Sequence, residues 1–269
     1  MSQYHQYLET VISIAKEAGA AIMRVYATNF DVEHKSDNSP LTQADLAAHH
    51  VIVHALKQLT PNIPVLSEES EHVSADERNS WPMYWLIDPL DGTREFIKRN
   101  GEFTVNIALI SQHISVLGVV YAPVTELLYY AVAGRGAYKQ SKGYAAHRIQ
   151  TASLNIENVI VAGSRSHADH KLQQFLTNMH VKTGATPELI HMGSSLKICL
   201  VADGTAHVYP RLGPTSEWDT AAAHCVLSEA GGDIIDIMGN SLRYNTKSSL
   251  LNPSFFATVK TSFNWSEFI

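Results

Sequence analysis

The sequence predicts a layered mixed fold, an α+β half over residues 1–151 followed by an α/β half over residues 152–269. Three observations lead there. Residues 3–60 carry two amphipathic helical patterns. Residues 83–139 then hold strand-like runs separated by the short breaks SQH, PVT and GRG, and short breaks between strands favour antiparallel hairpins. From about residue 152 strand and helix patterns alternate, and the change is a shift in pattern with no flexible linker. At 45% apolar and 17% charged, a chain of 269 residues can bury a sizeable core and is not a disordered one.

Taken in order, Tyr7, Val11, Ile14, Ala18, Ile22 and Val25 recur at spacings of three and four and predict a helix over 3–27. After the polar break DVEHKSDNSP, Thr42 opens a second helix through Leu46, Val53 and Leu56 that stops near Thr60-Pro61. IPVLSEES reads as a short strand entering a carboxylate-rich turn. MYWLID (83–88) is an apolar strand expected to end at Asp88, with a short helix over 94–98 beyond it. FTVNIALI (103–110), ISVLGVVYA (114–122), ELLYYAVA (126–133) and GAYK (136–139) follow as strands. The second half alternates NVIVAG, a helix over 168–179, ELIHMG, a helix over 194–202, AHVYPR, a helix from Asp219, GGDIIDI and FFATVK.

Composition also excludes functions. With 20 basic and 26 acidic residues the net charge is −6, a poor basis for binding nucleic-acid polymers, whose phosphates are held by Lys and Arg. No stretch approaches the ~20 apolar residues of a membrane-spanning helix, and the N-terminus lacks a signal-peptide pattern. Cys199 and Cys225 form no CxxC pair and suggest no disulfide framework, so a cytoplasmic protein is expected.

The acidic residues carry the chemistry. Glu68 (with Glu69), Asp88, Asp91 and Asp219 stand at the ends of predicted elements, and Asp45 stands near the start of the second helix. In Asp88-Pro89-Leu90-Asp91-Gly92-Thr93, Pro89 cannot extend a central ladder and Gly92 allows an unusual backbone angle. The turn gathers two carboxylates, the Leu90 carbonyl and helix-start amides, and oxygen ligands of this kind suit Mg²⁺. Two carboxylates ~4 Å apart repel by about 4 kcal/mol at an effective dielectric of 20, so a buried cluster needs cations. Asp, Pro and Gly also make ordinary turns; Trp218-Asp219 and Glu68-Glu69 in the same chain favour the metal reading. Phosphatases with an Asp-x-Asp-Gly-Thr nucleophile place their carboxylates at i and i+2, whereas here they are at i and i+3. That spacing removes the covalent nucleophile and leaves direct attack by an activated water.

WLIDPLDGTREF (85–96) with SEWDTAAAHCVLSEAGG (216–232), supported by VLSEES and SPLTQAD, resembles the lithium-sensitive, magnesium-dependent phosphatases of the inositol monophosphatase superfamily. KSDNSPLTQAD, EFIKRNGEFTVNIALI, GSRSHAD, GSSLKICLVADG and VYPRLGPTSEWDTAA are most similar to its bacterial 3'(2'),5'-bisphosphate nucleotidase branch. The resemblance implies an αβαβα sandwich and hydrolysis of the 3'-phosphate of adenosine 3',5'-bisphosphate (PAP) to AMP. 3'-Phosphoadenylyl sulfate (PAPS) is a further candidate substrate. It also implies two Mg²⁺ per site, with a third left open. Glu68, Asp88 and the Leu90 carbonyl would hold the first, and Asp88, Asp91 and Asp219 the second. Thr93 would position the attacking water with an acidic partner, either Glu68 or Asp45. The backbone of Gly92 and Thr93 would cradle the scissile phosphate. Two Mg²⁺ against Glu68, Asp88, Asp91 and Asp219 would leave the site neutral, so an acidic chain can still bind a phosphate. Thr42-x-x-Asp45 fits a helix capping box as well, and the two roles of Asp45 are compatible.

For the nucleotide and its second phosphate, the resemblance points to His167, Ser194, Lys197 and Arg211, with Ser164 and Arg165 as further candidates. Lys197 sits one turn after Ser194, so both can face one ligand at a helix start. His50 and His54 mimic a zinc pair but lack the Glu of an H-E-x-x-H motif, and read as an exposed helix face. Lys98-Arg99-Asn100 reads as a turn, with a phosphate contact as the alternative. Trp218 reads as packing that sets the direction of Asp219. The runner-up function is an inositol monophosphatase; a non-catalytic metal or nucleotide sensor is the reading from another class. A monomer is favoured over a dimer, with any association at the inner face of the membrane peripheral.

Overall fold

The computed structural model describes residues 3–30, 32–34, 40–70, 73–164 and 170–269. Helix α1 (Leu8–Tyr26), entered through a 3-10 turn at Gln3–Tyr7, buries Leu8, Val11, Ile14, Ala18 and Ile22 on one face. Helix α2 (Gln43–Leu59) packs beside it and buries Ala44, Ala48, Ile52 and Leu56. The short antiparallel pair β1 (Val32–His34) and β2 (Pro40–Thr42) joins the two helices.

Both helices cover one face of a seven-stranded sheet whose strands lie in chain order: β3 (Val65–Ser67), β4 (Met83–Asp91), β5 (Thr104–Ser111), β6 (Ile114–Ala122), β7 (Leu127–Val132), β8 (Ala137–Gln140) and β9 (His147–Ile149). Only β3 and β4 are parallel; the others run as antiparallel hairpins. Strand periodicity divides the residues between two cores. Trp85, Ile87, Val105, Ile107 and Leu109 meet α1 and α2, while Tyr84, Leu86, Ala108 and Ile110 face the opposite side. Short helices α3 (Ala75–Asn79) and α4 (Thr93–Ile97) flank β4.

The second sheet has the order β11 (Glu188–Met192), β10 (Ile160–Ser164), β12 (Val208–Arg211), β14 (Phe255–Val259) and β13 (Gly232–Asp236). Helices α6 (Leu196–Ala202) and α7 (Glu217–Glu229) lie between the sheets, sharing a core with Leu86 and Ala108 on one side and Phe255, Ala257 and Val259 on the other. Phe256 points the other way, with Val161 and Val208, toward α5 (His170–Thr183) and the 3-10 turn Trp265–Phe268. The layers therefore run α, β, α, β, α, the predicted sandwich. The middle layer is thin because small residues line it: a Cβ at Gly118 on β6 would stand 2.1 Å from the Ala222 carbonyl oxygen of α7.

The structure departs from the sequence expectations at several elements, among them the β1–β2 pair, which occupies the segment read as a polar break. Strand β4 does not end at Asp88 but continues to Asp91 through a bulge. Helix α7 begins at Glu217, two residues before Asp219, because Ser216 caps it. The five-residue α3 and the edge strand β9 have no apolar pattern to betray them. Of the helix expected over 168–179, the described part is α5, starting at His170. Cys199 and Cys225 are both free and buried, and no helix is long and apolar enough to cross a membrane.

Candidate active site

The bulge in β4 creates the site. Asp88 pairs with Asn106 and Asp91 with Thr104, so three steps along β4 oppose two along β5. Residues three apart in a regular strand face opposite ways; one extra residue restores their common direction and aims both carboxylates at the same point. Pro89, which has no N–H for a ladder, sits inside that irregularity. Gly92 then turns the chain at φ +93° into α4, a conformation that favours glycine, and a Cβ there would crowd the Glu102 carbonyl.

Asp219 arrives from the start of α7. Its Oδ2 accepts from the Ser216 backbone N–H at 2.9 Å, completing a capping box that fixes the side chain. One oxygen each from Asp88, Asp91 and Asp219 lie within 4.8 Å of one another. Glu68, following β3, lines the same cavity. Burial, together with repulsion from Glu68 and Asp91, pushes the Asp88 carboxyl well above its usual range, and burial with the Asp91 charge does the same to Asp219. Asp91 is pushed up to about 6 by burial, an effect opposed by Lys197 and by hydrogen bonds from Ser195 and Asn106. Such a set of oxygen donors is unfavourable as bare anions and fits a divalent cation.

Asp45 has both of the roles read from the sequence within reach. Its Oδ2 accepts from the Thr42 N–H at 2.8 Å and from the Thr42 hydroxyl at 2.6 Å, the helix cap. Its Oδ1 accepts from the Thr93 hydroxyl at 3.3 Å; the same hydroxyl is 3.4 Å from the Leu90 carbonyl oxygen.

The same cavity carries cations. Lys197 is buried, donates to the Ser194 carbonyl at 2.6 Å, and lies 5.3 Å from the Tyr209 ring centroid. Burial pulls its ammonium down to about 8, Arg211 pulling the same way while Asp91, Glu95 and Asp219 oppose. Arg211 donates to the Pro214 carbonyl at 2.8 Å, and its buried Nε finds no acceptor among the described residues. Ser164, Ser194, Lys197 and Arg211 line one cavity of about 330 Å³ with Glu68, Asp88, Leu90, Asp91, Gly92, Thr93 and Asp219. His167 and Arg165 lie outside the described residues.

Ahead of the helix that carries Lys197, the Gly193 N–H goes to Glu102 at 2.8 Å and the Ser195 N–H to Asp91. Lys98-Arg99-Asn100 follows α4 as a turn, and the Arg99 guanidinium is engaged structurally: it donates to the Tyr26 and Thr28 carbonyls, both at 2.6 Å, and covers the Tyr26 and Phe30 rings. His50 and His54 are exposed, and Trp218 packs against the core between the sheets. The sequence reading missed Asn106, Thr104 and Ser195, which cluster behind Asp91. A lone Asn in the apolar run FTVNIALI was their signal, because a buried amide must find partners.

A fold of alternating layers with an acidic cluster at a bulged Asp-Pro-Leu-Asp-Gly-Thr turn defines a class. The model of the inositol monophosphatase family matches residues 3–262, and the chain belongs to that family. Within it, the chain is 49% identical to the 3'(2'),5'-bisphosphate nucleotidase CysQ of Salmonella typhimurium, over 94% of this chain and 99% of that one. It is 48% identical to the CysQ protein of Escherichia coli K12 over the same shares. The crystal structure of CysQ from Bacteroides thetaiotaomicron superposes with a TM-score of 0.79 at 43% identity, covering 91% of this chain and 94% of that one.

Proposed function

We propose that this protein is a 3'(2'),5'-bisphosphate nucleotidase that removes the 3'-phosphate of PAP and leaves AMP. The observation that carries this reading is the cavity's mixed charge: three carboxylates within 4.8 Å of one another and two cations, Lys197 and Arg211, line the same cavity. The carboxylates suit a phosphate held through divalent cations, and Lys197 and Arg211 suit a second phosphate bound directly. The named function of relatives at 48–49% identity over nearly full length supports the same reaction.

Glu68, Asp88 and the Leu90 carbonyl would hold one Mg²⁺, and Asp88, Asp91 and Asp219 a second. When bound, divalent cations supply Lewis acidity, lowering the pKa of water and stabilising the leaving oxygen. The chain's own residues handle the proton. Thr93 gives its hydroxyl hydrogen to Asp45 Oδ1, so its oxygen lone pairs face the cavity and can accept a hydrogen bond from the attacking water. As that water loses a proton to Thr93, Thr93 passes its own to Asp45, whose Oδ2 stays locked in the helix cap. This favours Asp45 over Glu68 as the acidic partner of Thr93. Lys197, Arg211, Ser194 and His167 would hold the nucleotide and its 5'-phosphate. The protein is read as a cytoplasmic monomer.

The test is phosphate release from PAP, PAPS and inositol 1-phosphate, with Mg²⁺ alone and with added Li⁺. Faster, Mg²⁺-dependent and Li⁺-inhibited release from the nucleotides is expected. Equal or reversed rates would move the protein to the inositol phosphatases, and no release from any of them would leave a non-catalytic sensor.

A further inference from the structure

Behind Asp91 lies a closed set of buried polar groups that the reaction does not use. Thr104, Asn106 and Ser195 are each 3% exposed or less. The Ser195 hydroxyl is 2.9 Å from Asn106 Oδ1, the Thr104 hydroxyl is 3.1 Å from the same oxygen, and the two hydroxyls are 2.9 Å apart. Asn106 Nδ2 then donates to Asp91 Oδ2 at 3.4 Å, and the Ser195 backbone N–H donates to that oxygen too.

Each hydroxyl has one hydrogen, and three contacts compete for two hydrogens. An ionised Asp91 Oδ2 only accepts, so the amide turns its NH₂ toward it. Asn106 Oδ1 then faces the two hydroxyls, and since they cannot both donate to each other, at least one of them donates to it. Both donors to Asp91 act on Oδ2, which leaves Oδ1 to the Asp88–Asp219 cluster. The Ser195 donor belongs to the same short segment as Ser194 and Lys197, which line the same cavity.

We propose that Asn106, its amide oxygen anchored by Ser195 and Thr104, is a positioning residue that presents Asp91 Oδ1 to the divalent cation. The proposal rests on the reading of Asp91 as a metal ligand. Groups that orient a ligand in this way typically contribute 10–100-fold in metal affinity.

Binding of Mn²⁺ to the full chain without substrate, followed by calorimetry or electron paramagnetic resonance, provides the test. Asn106→Leu should raise the Mn²⁺ dissociation constant tenfold or more while the metal-free protein still unfolds cooperatively. An unchanged constant in the folded variant overturns the proposal. Should Asn106→Leu not fold, the hydroxyls decide. Ser195→Ala and Thr104→Val each leave one hydroxyl on Asn106 Oδ1 and should change the constant by less than about twofold. The double variant leaves Oδ1 buried with no hydroxyl donor, loosens the amide's hold on Asp91 and should lose tenfold or more. Additive losses, or a double variant with the wild-type constant, overturn the proposal, since a merely structural role gives no such synergy. Asp91→Asn separates the two levels: a wild-type constant there would sink the metal assignment itself.

Discussion

Replacing Asp88 by Asn should stabilise the metal-free protein while abolishing its metal response. Asp88 is buried, with oxygens of Asp91 and Asp219 within 4.8 Å. Two unit charges at that separation repel by about 3.5 kcal/mol at an effective dielectric near 20. Asparagine keeps an oxygen for the Leu90 N–H, which bonds Asp88 Oδ1 at 3.0 Å, and so loses charge without losing that contact. The repulsion also has a pH signature. Asp91 is raised from 3.8 to about 6, so the folded state holds this proton more tightly than the unfolded one. A raised acid contributes full stability below its unfolded value and loses it as pH climbs to its folded value. For Asp91 that loss falls between about pH 4 and 6 and is on the order of 3 kcal/mol; for Asp88 and Asp219, raised further, it continues to higher pH. Thermal unfolding in EDTA should therefore show wild-type Tm falling from pH 5 to 7.5 and Mg²⁺ restoring it. At pH 7.5 in EDTA, Asp88→Asn should melt about 5 °C or more above wild type, at about 2 °C per kcal/mol. A wild-type Tm that stays flat or rises over this range in EDTA, or a variant less stable than wild type there, would refute the reasoning.

Thr93→Ala should lower kcat by about 10²–10³-fold with little change in KM, measured by phosphate release, because only the proton relay to Asp45 is lost. Lys197 loses its charge as pH passes about 8, so KM for the bisphosphate should rise between pH 7 and 9, and Lys197→Arg should flatten that rise. Gly118→Ala has no room against the Ala222 carbonyl and should cost about 1–3 kcal/mol or more in urea titrations, through separation of α7 from β6. Arg99→Ala should lower Tm and leave KM unchanged, since the guanidinium ties down the end of α1.

What the sequence disclosed follows from which signals are local. The apolar periodicities of 3–60 and the hairpin runs of 103–139 report which face is buried, and burial produced the elements. The Asp-Pro-Leu-Asp-Gly-Thr turn was legible as a ligand cluster because its residues are adjacent. Its bulge was not: a register shift belongs to two strands, and nothing in MYWLIDPLD alone says that β5 will stay paired beyond Asp88. Asp219 shows a related blind spot. Read as a ligand, it hid its second identity as the acidic partner of a capping box, and α7 was started two residues late. Asn106 and Ser195 lie 89 residues apart, and only the fold, which brings the turn before α6 onto β5, makes them neighbours.

Helix α7 holds the last of the candidate ligands, and this has a consequence for synthesis. The chain makes Glu68, Asp88 and Asp91 early, but Asp219 emerges after the whole N-terminal sheet, whose last strand ends at Ile149, on the order of ten seconds later at roughly 5–20 residues per second. Until α7 arrives, the sheet face bearing Leu86, Ala108, Ile110 and Val120 lacks the helix that packs most closely on it. A complete metal site can therefore assemble only on a chain whose two sheets have closed on their shared helix. Cation binding then acts as a final inspection of the whole fold, and a ribosome-stalled fragment ending before residue 217 should depend on chaperones whatever the Mg²⁺ concentration.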